Sequence, residues 1–336
     1  MRKKRDHGGG LDAAVAQYGG ARSDWLDLST GINPVPYPVG EIDPEAWTAL
    51  PDQDAMDRLL AAARAFWNVP VGADIVAANG ASAIIAKVPH MYSGVGGVYI
   101  PQPTYNEHAA AIEAASGGIW VNDTEEDSFM DVLVHPNNPD GRLWGEEDIC
   151  RTATTVIDES FCDVTPEHSH IKWADDPRVL ILKSFGKFWG LAGLRLGFAI
   201  GAKDRHFIAQ DPSPFSKVQK TSPLTRLRDG LGPWSVAGPA LAIGARALED
   251  VAWAEETRKR LTKDAARLDR LVGWTLVGGT YLFRTYEVAD AAQVQDHLAK
   301  GHVWSRVFPY SKTWIRLGLP HPDRWGQLEA ALDGLR

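Results

Sequence analysis

Seven short apolar runs recur through the first two thirds of the chain, and their spacing limits the possible folds more than any other feature. They lie at residues 75–78, 97–100, 118–121, 132–134, 154–157, 179–182 and 197–200. Each is too short for a helix and bounded by turn residues, so each reads as a buried strand. Helical stretches separate them. Over residues 54–67, Met56, Leu59, Leu60, Ala63 and Phe66 follow the i, i+3, i+4, i+7 pattern of one buried helix face. Strands alternating with helices predict an α/β architecture: a mostly parallel seven-stranded sheet flanked by helices, with ligands outside the carboxyl ends of its strands. Residues 239–271 then continue as a helical pattern through Leu241, Ala245, Leu248, Leu261, Ala265 and Leu268, read as one long bridging helix. Strands are expected at 280–284 and 314–317, and a Gly/Pro-rich loop at 210–234. With 336 residues, length favours two domains: an arm over 1–40, a large domain over 41–238, and the bridging helix with a smaller α+β domain over 239–336.

The run at 179–182 delivers Ser184, Lys187 and Arg195 to a connection punctuated by Gly186, Gly190 and Gly193. Most loop lysines are simply solvated. Here Phe185, Phe188 and Trp189 surround the amine with apolar bulk, which disfavours its charged form and leaves it nucleophilic. Arg195 offers a planar fork matched to phosphate. Gly80-Ala81-Ser82 follows the strand at 75–78 and opens a helical run, so its backbone N–H groups suit an anion. Asn137-Asn138-Pro139-Asp140-Gly141 reads equally well as a plain turn, and Asp158 ends the strand at 154–157.

Taken together and in this order, these segments resemble the fold-type I pyridoxal phosphate enzymes, the class I/II aminotransferase superfamily. The resemblance implies that Lys187 holds pyridoxal 5'-phosphate covalently and then moves protons. It also implies that Asp158 pairs with the pyridinium nitrogen, Tyr105 of Pro103-Thr104-Tyr105 covers the ring, and Asn138 bonds the 3'-oxygen. Gly80, Ala81, Ser82, Ser184 and Arg195 would hold the phosphate. The ends of the chain narrow the match. His7-Gly8-Gly9, the stretch from Leu26 to Pro34, Pro233-Trp234-Ser235-Val236, Arg306 and Arg316 resemble the threonine-phosphate decarboxylase branch, which serves cobalamin synthesis and lies close to histidinol-phosphate aminotransferases. That branch implies a phosphorylated amino acid substrate met by His7, Asn33, Arg306 and Arg316, and a homodimer in which the amino-terminal arm reaches a neighbouring site. Guanidinium forks suit a doubly anionic ligand.

Four positions depart from the superfamily pattern: Leu50 in place of a tyrosine, Phe161 for another tyrosine, Gly186 for Ser/Thr, and Asp140 for the turn threonine. Together they predict weaker cofactor affinity without removing the chemistry. Breaking the bond to the carboxylate or to the α-hydrogen depends on which stands perpendicular to the cofactor plane, and residue spacing does not reveal that angle. Decarboxylation of L-threonine O-3-phosphate is therefore read from resemblance, with an aminotransferase as the alternative and a non-catalytic cofactor-binding regulator third. No DNA-binding segment is recognised ahead of the fold, which counts against the regulator.

Charge and apolar runs exclude other classes. The net charge of -8 argues against nucleic acid or an anionic membrane as partner. The basic start, Arg2 to Arg5, is followed by glycines rather than an apolar stretch, unlike a signal peptide. No run approaches the roughly 18 apolar residues that span a bilayer. Cys150 and Cys162 lack metal-ligand or redox spacing, so no metal is expected and a reducing cytoplasm is.

Overall fold

The computed structural model describes residues 7–92, 96–115, 118–122, 124–125, 127–149, 154–203 and 222–335. The basic start and Cys150 lie outside these residues, as do 210–221 of the expected loop. The chain opens with helix α1 (Leu11–Tyr18), the short strand β1 (Leu26–Asp27) and helices α2 (Glu45–Thr48) and α3 (Gln53–Phe66). Asp52 caps α3 by accepting a bond from the Ala55 amide, which satisfies one of the free N–H groups at the helix start. Next come β2 (Ala73–Ala78), α4 (Ala81–Ile85), α5 (Val88–Met91), β3 (Gly96–Tyr99), α6 (Asn106–Ala114), β4 (Ile119–Asn122) and β5 (Ser128–Val134). Strands β6 (Thr154–Asp158), β7 (Val179–Ser184) and β8 (Gly197–Ala202) complete the first sheet.

That sheet has seven strands in the order β2-β8-β7-β6-β5-β3-β4. Only β8 runs against its neighbours, pairing antiparallel with both β2 and β7. All other pairs are parallel. Val156, Ile157, Ile181 and Leu182 have essentially no solvent exposure, as expected for central strands covered on both faces. The register places Val134 beside Asp158 and Asp158 beside Leu182. The carboxyl ends of β5, β6 and β7 therefore open side by side, and the Asn137–Gly141 turn, Asp158 and the Lys187 connection all emerge from one edge.

The remainder departs from the sequence reading in three places. Helix α7 (Pro223–Leu231) occupies most of the described part of the expected loop. Ser222 caps it by accepting from the Thr225 amide, and Pro223 sits at its start, where a missing N–H costs nothing. The long bridging helix is two helices, α8 (Gly238–Glu249) and α9 (Val251–Val272), broken at Asp250. Asp250 leaves helical backbone geometry and accepts a bond from the Trp253 amide, so one residue ends α8 and caps α9. The run at 280–284 straddles a turn between strands β9 (Thr275–Thr280) and β10 (Phe283–Glu287).

Helix α10 (Ala291–Lys300), strands β11 (Val303–Trp304), β12 (Arg306–Phe308) and β13 (Ser311–Gly318), and helix α11 (Trp325–Ala331) finish the chain. A second, antiparallel sheet has the order β12-β13-β10-β9. Strand β1 pairs in parallel with β11, Leu26 opposite Val303, which ties the start of the chain to its last third. Among the described residues no helix is long and apolar enough to cross a membrane.

Candidate active site

Two cavities meet at the carboxyl edge of the large sheet, and Tyr105, Asn138, Phe161 and Lys187 line both. The inner one, about 110 Å³, is also lined by Ser82, Asp158, Ser184 and Arg195. The outer one, about 340 Å³, is lined by His7, Arg306 and Arg316. Sequence segments far apart along the chain are thus brought to one place.

In the inner cavity the positive φ of Gly80 (85°) and its close approach to Arg195 act together. A Cβ on Gly80 would lie 2.7 Å from an Arg195 guanidinium nitrogen, so any side chain there would displace the arginine. Ala81 and Ser82, at the start of α4, line the same wall. The carboxylate of Asp158 is buried and accepts from Ser160 Oγ at 2.5 Å and from the Ser160 amide at 3.0 Å. His108 Nε2 lies 2.8 Å from its other oxygen. Burial pushes this carboxyl up, yet the His108 and Ser160 bonds outweigh it and hold the group below the ordinary aspartate range. Asp158 is therefore an anion within the sheet edge. Asn138 gives its side-chain oxygen to an Arg316 Nη1 bond, which leaves its amide nitrogen as a donor.

Lys187 stands where the cavities meet, its amine 5.2 Å from the Phe161 ring. Desolvation, with Arg316 and Arg195 nearby and only Asp158 opposing, brings its pKa down to about 8. The donor set fits pyridoxal 5'-phosphate: a nucleophilic amine, a buried anion for a ring nitrogen, an amide donor, and two hydroxyls with a guanidinium for a phosphate. An amine captures an aldehyde only when unprotonated, and an ordinary lysine stays protonated up to about pH 10.4. Cofactor uptake by the cofactor-free protein is therefore expected to quicken about tenfold per pH unit at first and to level off above about pH 8. Stopped-flow absorbance would check this, and a plateau only near pH 10 would contradict a desolvated amine.

In the outer cavity Arg316 is buried, and its guanidinium donates to Asn138 and, at 2.7 Å, to the Ser29 carbonyl. Its Nε has no hydrogen-bond partner among the described residues. Desolvation and the nearby Arg306 bring its pKa down to about 10, although Tyr310 and Asp27 oppose the shift. A buried guanidinium bonded only to neutral oxygens, beside a second arginine, is a site prepared for an anion.

One expectation needs correction. Asn33 lines neither cavity. Its amide donates to the Phe188 carbonyl at 2.8 Å, while its oxygen accepts from the Val35 amide and from Arg260. These bonds fix the Gly31–Pro36 segment against the Lys187 loop and, through Arg260, against α9. His7 lines the outer cavity of its own chain. Other residues escaped notice in the sequence. His108 follows Tyr105 by three positions, so the first turn of α6 aims both rings at the site, 6.1 Å apart and edge to face; that i, i+3 spacing was the available signal. Ser160 and Ser29 are small polar residues in loops and carried none.

Comparison with known proteins gives the family. The aminotransferase class I and II family model matches residues 25–333, and the chain belongs to that family. Within it the chain is similar to threonine-phosphate decarboxylases. It is 35% identical to that of Pseudomonas aeruginosa, covering 98% of both chains. It is likewise 35% identical to that of a Sinorhizobium species, covering 97% of this chain and 96% of the relative. Similarity to the histidinol-phosphate aminotransferase of Symbiobacterium thermophilum is lower and partial, 27% over 57% of this chain and 55% of the other. The crystal structure of the Clostridium acetobutylicum histidinol-phosphate aminotransferase has the same fold, with a TM-score of 0.77 at 19% identity over 92% of this chain and 98% of that one.

Proposed function

We propose that this protein uses pyridoxal 5'-phosphate to decarboxylate L-threonine O-3-phosphate, giving (R)-1-amino-2-propanol O-2-phosphate for cobalamin synthesis. One observation carries the reading: a buried arginine without a carboxylate partner among its bonded groups, and a second arginine lining the same cavity next to the lysine. A substrate with a carboxylate and a phosphate close to its amine supplies an anion to each. The near-complete coverage of two threonine-phosphate decarboxylases at 35% identity supports the same choice.

When bound, the cofactor supplies an electron sink for the carbon that loses its substituent. The chain's own groups do the rest. Ser82, Ser184 and Arg195 hold the phosphate end, with the backbone of Gly80 and Ala81. Tyr105 and Phe161 border the ring and exclude water. Asp158, oriented by His108 and Ser160, keeps the ring nitrogen protonated. Asn138 donates to the 3'-oxygen while its own oxygen steadies Arg316, so cofactor and substrate sites are physically linked. Lys187, at the junction, holds the cofactor and afterwards is placed to deliver a proton to the α-carbon.

Asp158→Asn is expected to retain the cofactor but lose activity by a factor on the order of 100 or more, corresponding to at least about 2.7 kcal/mol of barrier. Steady-state assays beside the absorption spectrum would check it. Wild-type rates would mean that another group protonates the ring.

An aminotransferase acting on histidinol phosphate is the second reading, favoured by the fold shared with that enzyme of Clostridium acetobutylicum. Incubation with threonine phosphate separates the two. Carbon dioxide release without accumulation of the amine form of the cofactor supports decarboxylation. Stoichiometric amine form with histidinol phosphate, and no gas from threonine phosphate, would replace it. The proposal extends to a cytoplasmic homodimer, for which Trp47 and Leu50, both about two-thirds exposed, offer apolar surface to a second copy. It also extends to the division into an arm at 1–40, a cofactor domain at 41–238 and a smaller domain at 239–336.

A further inference from the structure

His7 and Gly8 line the outer cavity, and the glycine-rich segment they begin is held at two points. At the first the Gly9 amide donates to Ser29 Oγ at 2.7 Å, and that hydroxyl donates to Asp27 at 2.6 Å. Gly8 packs so closely here that a Cβ would lie 2.4 Å from the Ser29 carbonyl oxygen. That same carbonyl accepts from Arg316. At the second His7 Nε2 lies 3.1 Å from a carboxylate oxygen of Glu107. Glu107 is in the first turn of α6, next to His108, which orients Asp158. The far end of the arm is secured separately, by the bond from the Tyr18 hydroxyl to Asp296 at 3.0 Å.

We propose that Glu107 anchors the amino-terminal arm across the mouth of the outer cavity, holding the His7 imidazole toward the space lined by Arg306 and Arg316, and so acts as a positioning residue that favours phosphate monoesters. This rests on the reading of the substrate as phosphorylated. Three consecutive glycines, Gly8 to Gly10, have wide conformational freedom, and a histidine at their end contributes to binding only if it is fixed beforehand. The Ser29 bond fixes the backbone of Gly9 but not the ring two residues earlier. The Glu107 carboxylate is the contact that fixes the ring. A phosphate monoester presents more acceptor oxygens than a carboxylate, so a third donor beside two guanidinium groups adds most to a phosphate. An unphosphorylated amino acid would not use it.

The test is a set of steady-state constants for Glu107→Ala, Glu107→Gln, His7→Ala and the His7→Ala/Glu107→Ala pair. The cofactor absorption band serves as the check on folding and loading. Glu107→Ala and His7→Ala should each raise KM for threonine phosphate about tenfold, with kcat within about twofold and the band unchanged. The double variant should be no worse than either single one, because both remove the same contact. Glu107→Gln, which keeps an acceptor for the imidazole, should recover part of the loss. Affinity for L-threonine, measured as a competitive inhibitor, should not change. An unchanged KM in Glu107→Ala, additive losses in the double variant, or an equal loss for L-threonine would each overturn the anchor. If the wild type transaminates histidinol phosphate instead, the substrate reading fails, and the same constants measured with that phosphate ester still decide the fate of the anchor.

Discussion

Lys187→Ala is expected to abolish covalent retention of pyridoxal phosphate and to lower turnover by at least a factor on the order of 1,000, the span that a positioned proton-transfer group commands. Two properties of the site combine to make this effect large. Lys187 is among the residues that line both cavities, and of these it alone carries an amine, so it can meet cofactor and substrate in turn. Its pKa near 8 arises from desolvation and from Arg316 and Arg195, which leave a substantial unprotonated fraction near neutral pH. Reduction of the loaded wild type with borohydride, followed by peptide mass analysis, should locate the pyridoxyl group on Lys187. The variant should keep its fold but show no visible absorption band after dialysis. An unmodified Lys187 in reduced, cofactor-loaded protein would sink the assignment.

The sheet was legible in the sequence because its strands are covered on both faces. Val179 to Leu182 and Thr154 to Ile157 have almost no solvent exposure, and full burial writes itself as continuous apolar runs. The inner cavity was legible for a related reason. Asp158, Ser184 and Lys187 directly follow those runs, so locating the strand ends located the side chains. Features that depend on a single local bond were not visible in this way. Asp250 interrupts a pattern whose apolar spacing runs on undisturbed through both helices, because the break lies in one backbone torsion and one cap. The 280–284 run scored as a strand although Tyr281 and Leu282 form the turn, since an apolar turn buried against a neighbour carries the same residue types as a strand. Asn33 lies off both cavities, and an asparagine bonded to backbone groups and to Arg260 looks the same in sequence as one facing a ligand. His108 was missed for the converse reason: a lone histidine gains meaning only once α6 turns it toward Asp158.

The second large effect is expected at Arg316. Truncation to alanine removes a buried guanidinium whose bonded partners, the Asn138 oxygen and the Ser29 carbonyl, are both neutral. In the free protein that cation bears the cost of burial with little electrostatic return, as its pKa near 10 records. An anionic substrate supplies the missing charge, so most of the interaction should appear on binding rather than in folding. Losing one partner of a desolvated, hydrogen-bonded charge pair costs roughly 2 to 5 kcal/mol. Arg316→Ala should therefore raise KM for threonine phosphate by a factor on the order of 100, while its thermal midpoint holds or rises and the cofactor band persists. Arg316→Lys should recover only part of the affinity, since an ammonium reproduces the charge but not the fork. Arg306→Ala should raise KM less, because Arg306 is only half-buried and its charge is better solvated. Isothermal titration with threonine phosphate, beside thermal unfolding of each variant, would measure both quantities. A strongly destabilised Arg316→Ala protein with unchanged affinity would make this arginine a structural brace between Asn138 and Ser29, and the anion would then have to be held elsewhere in the cavity.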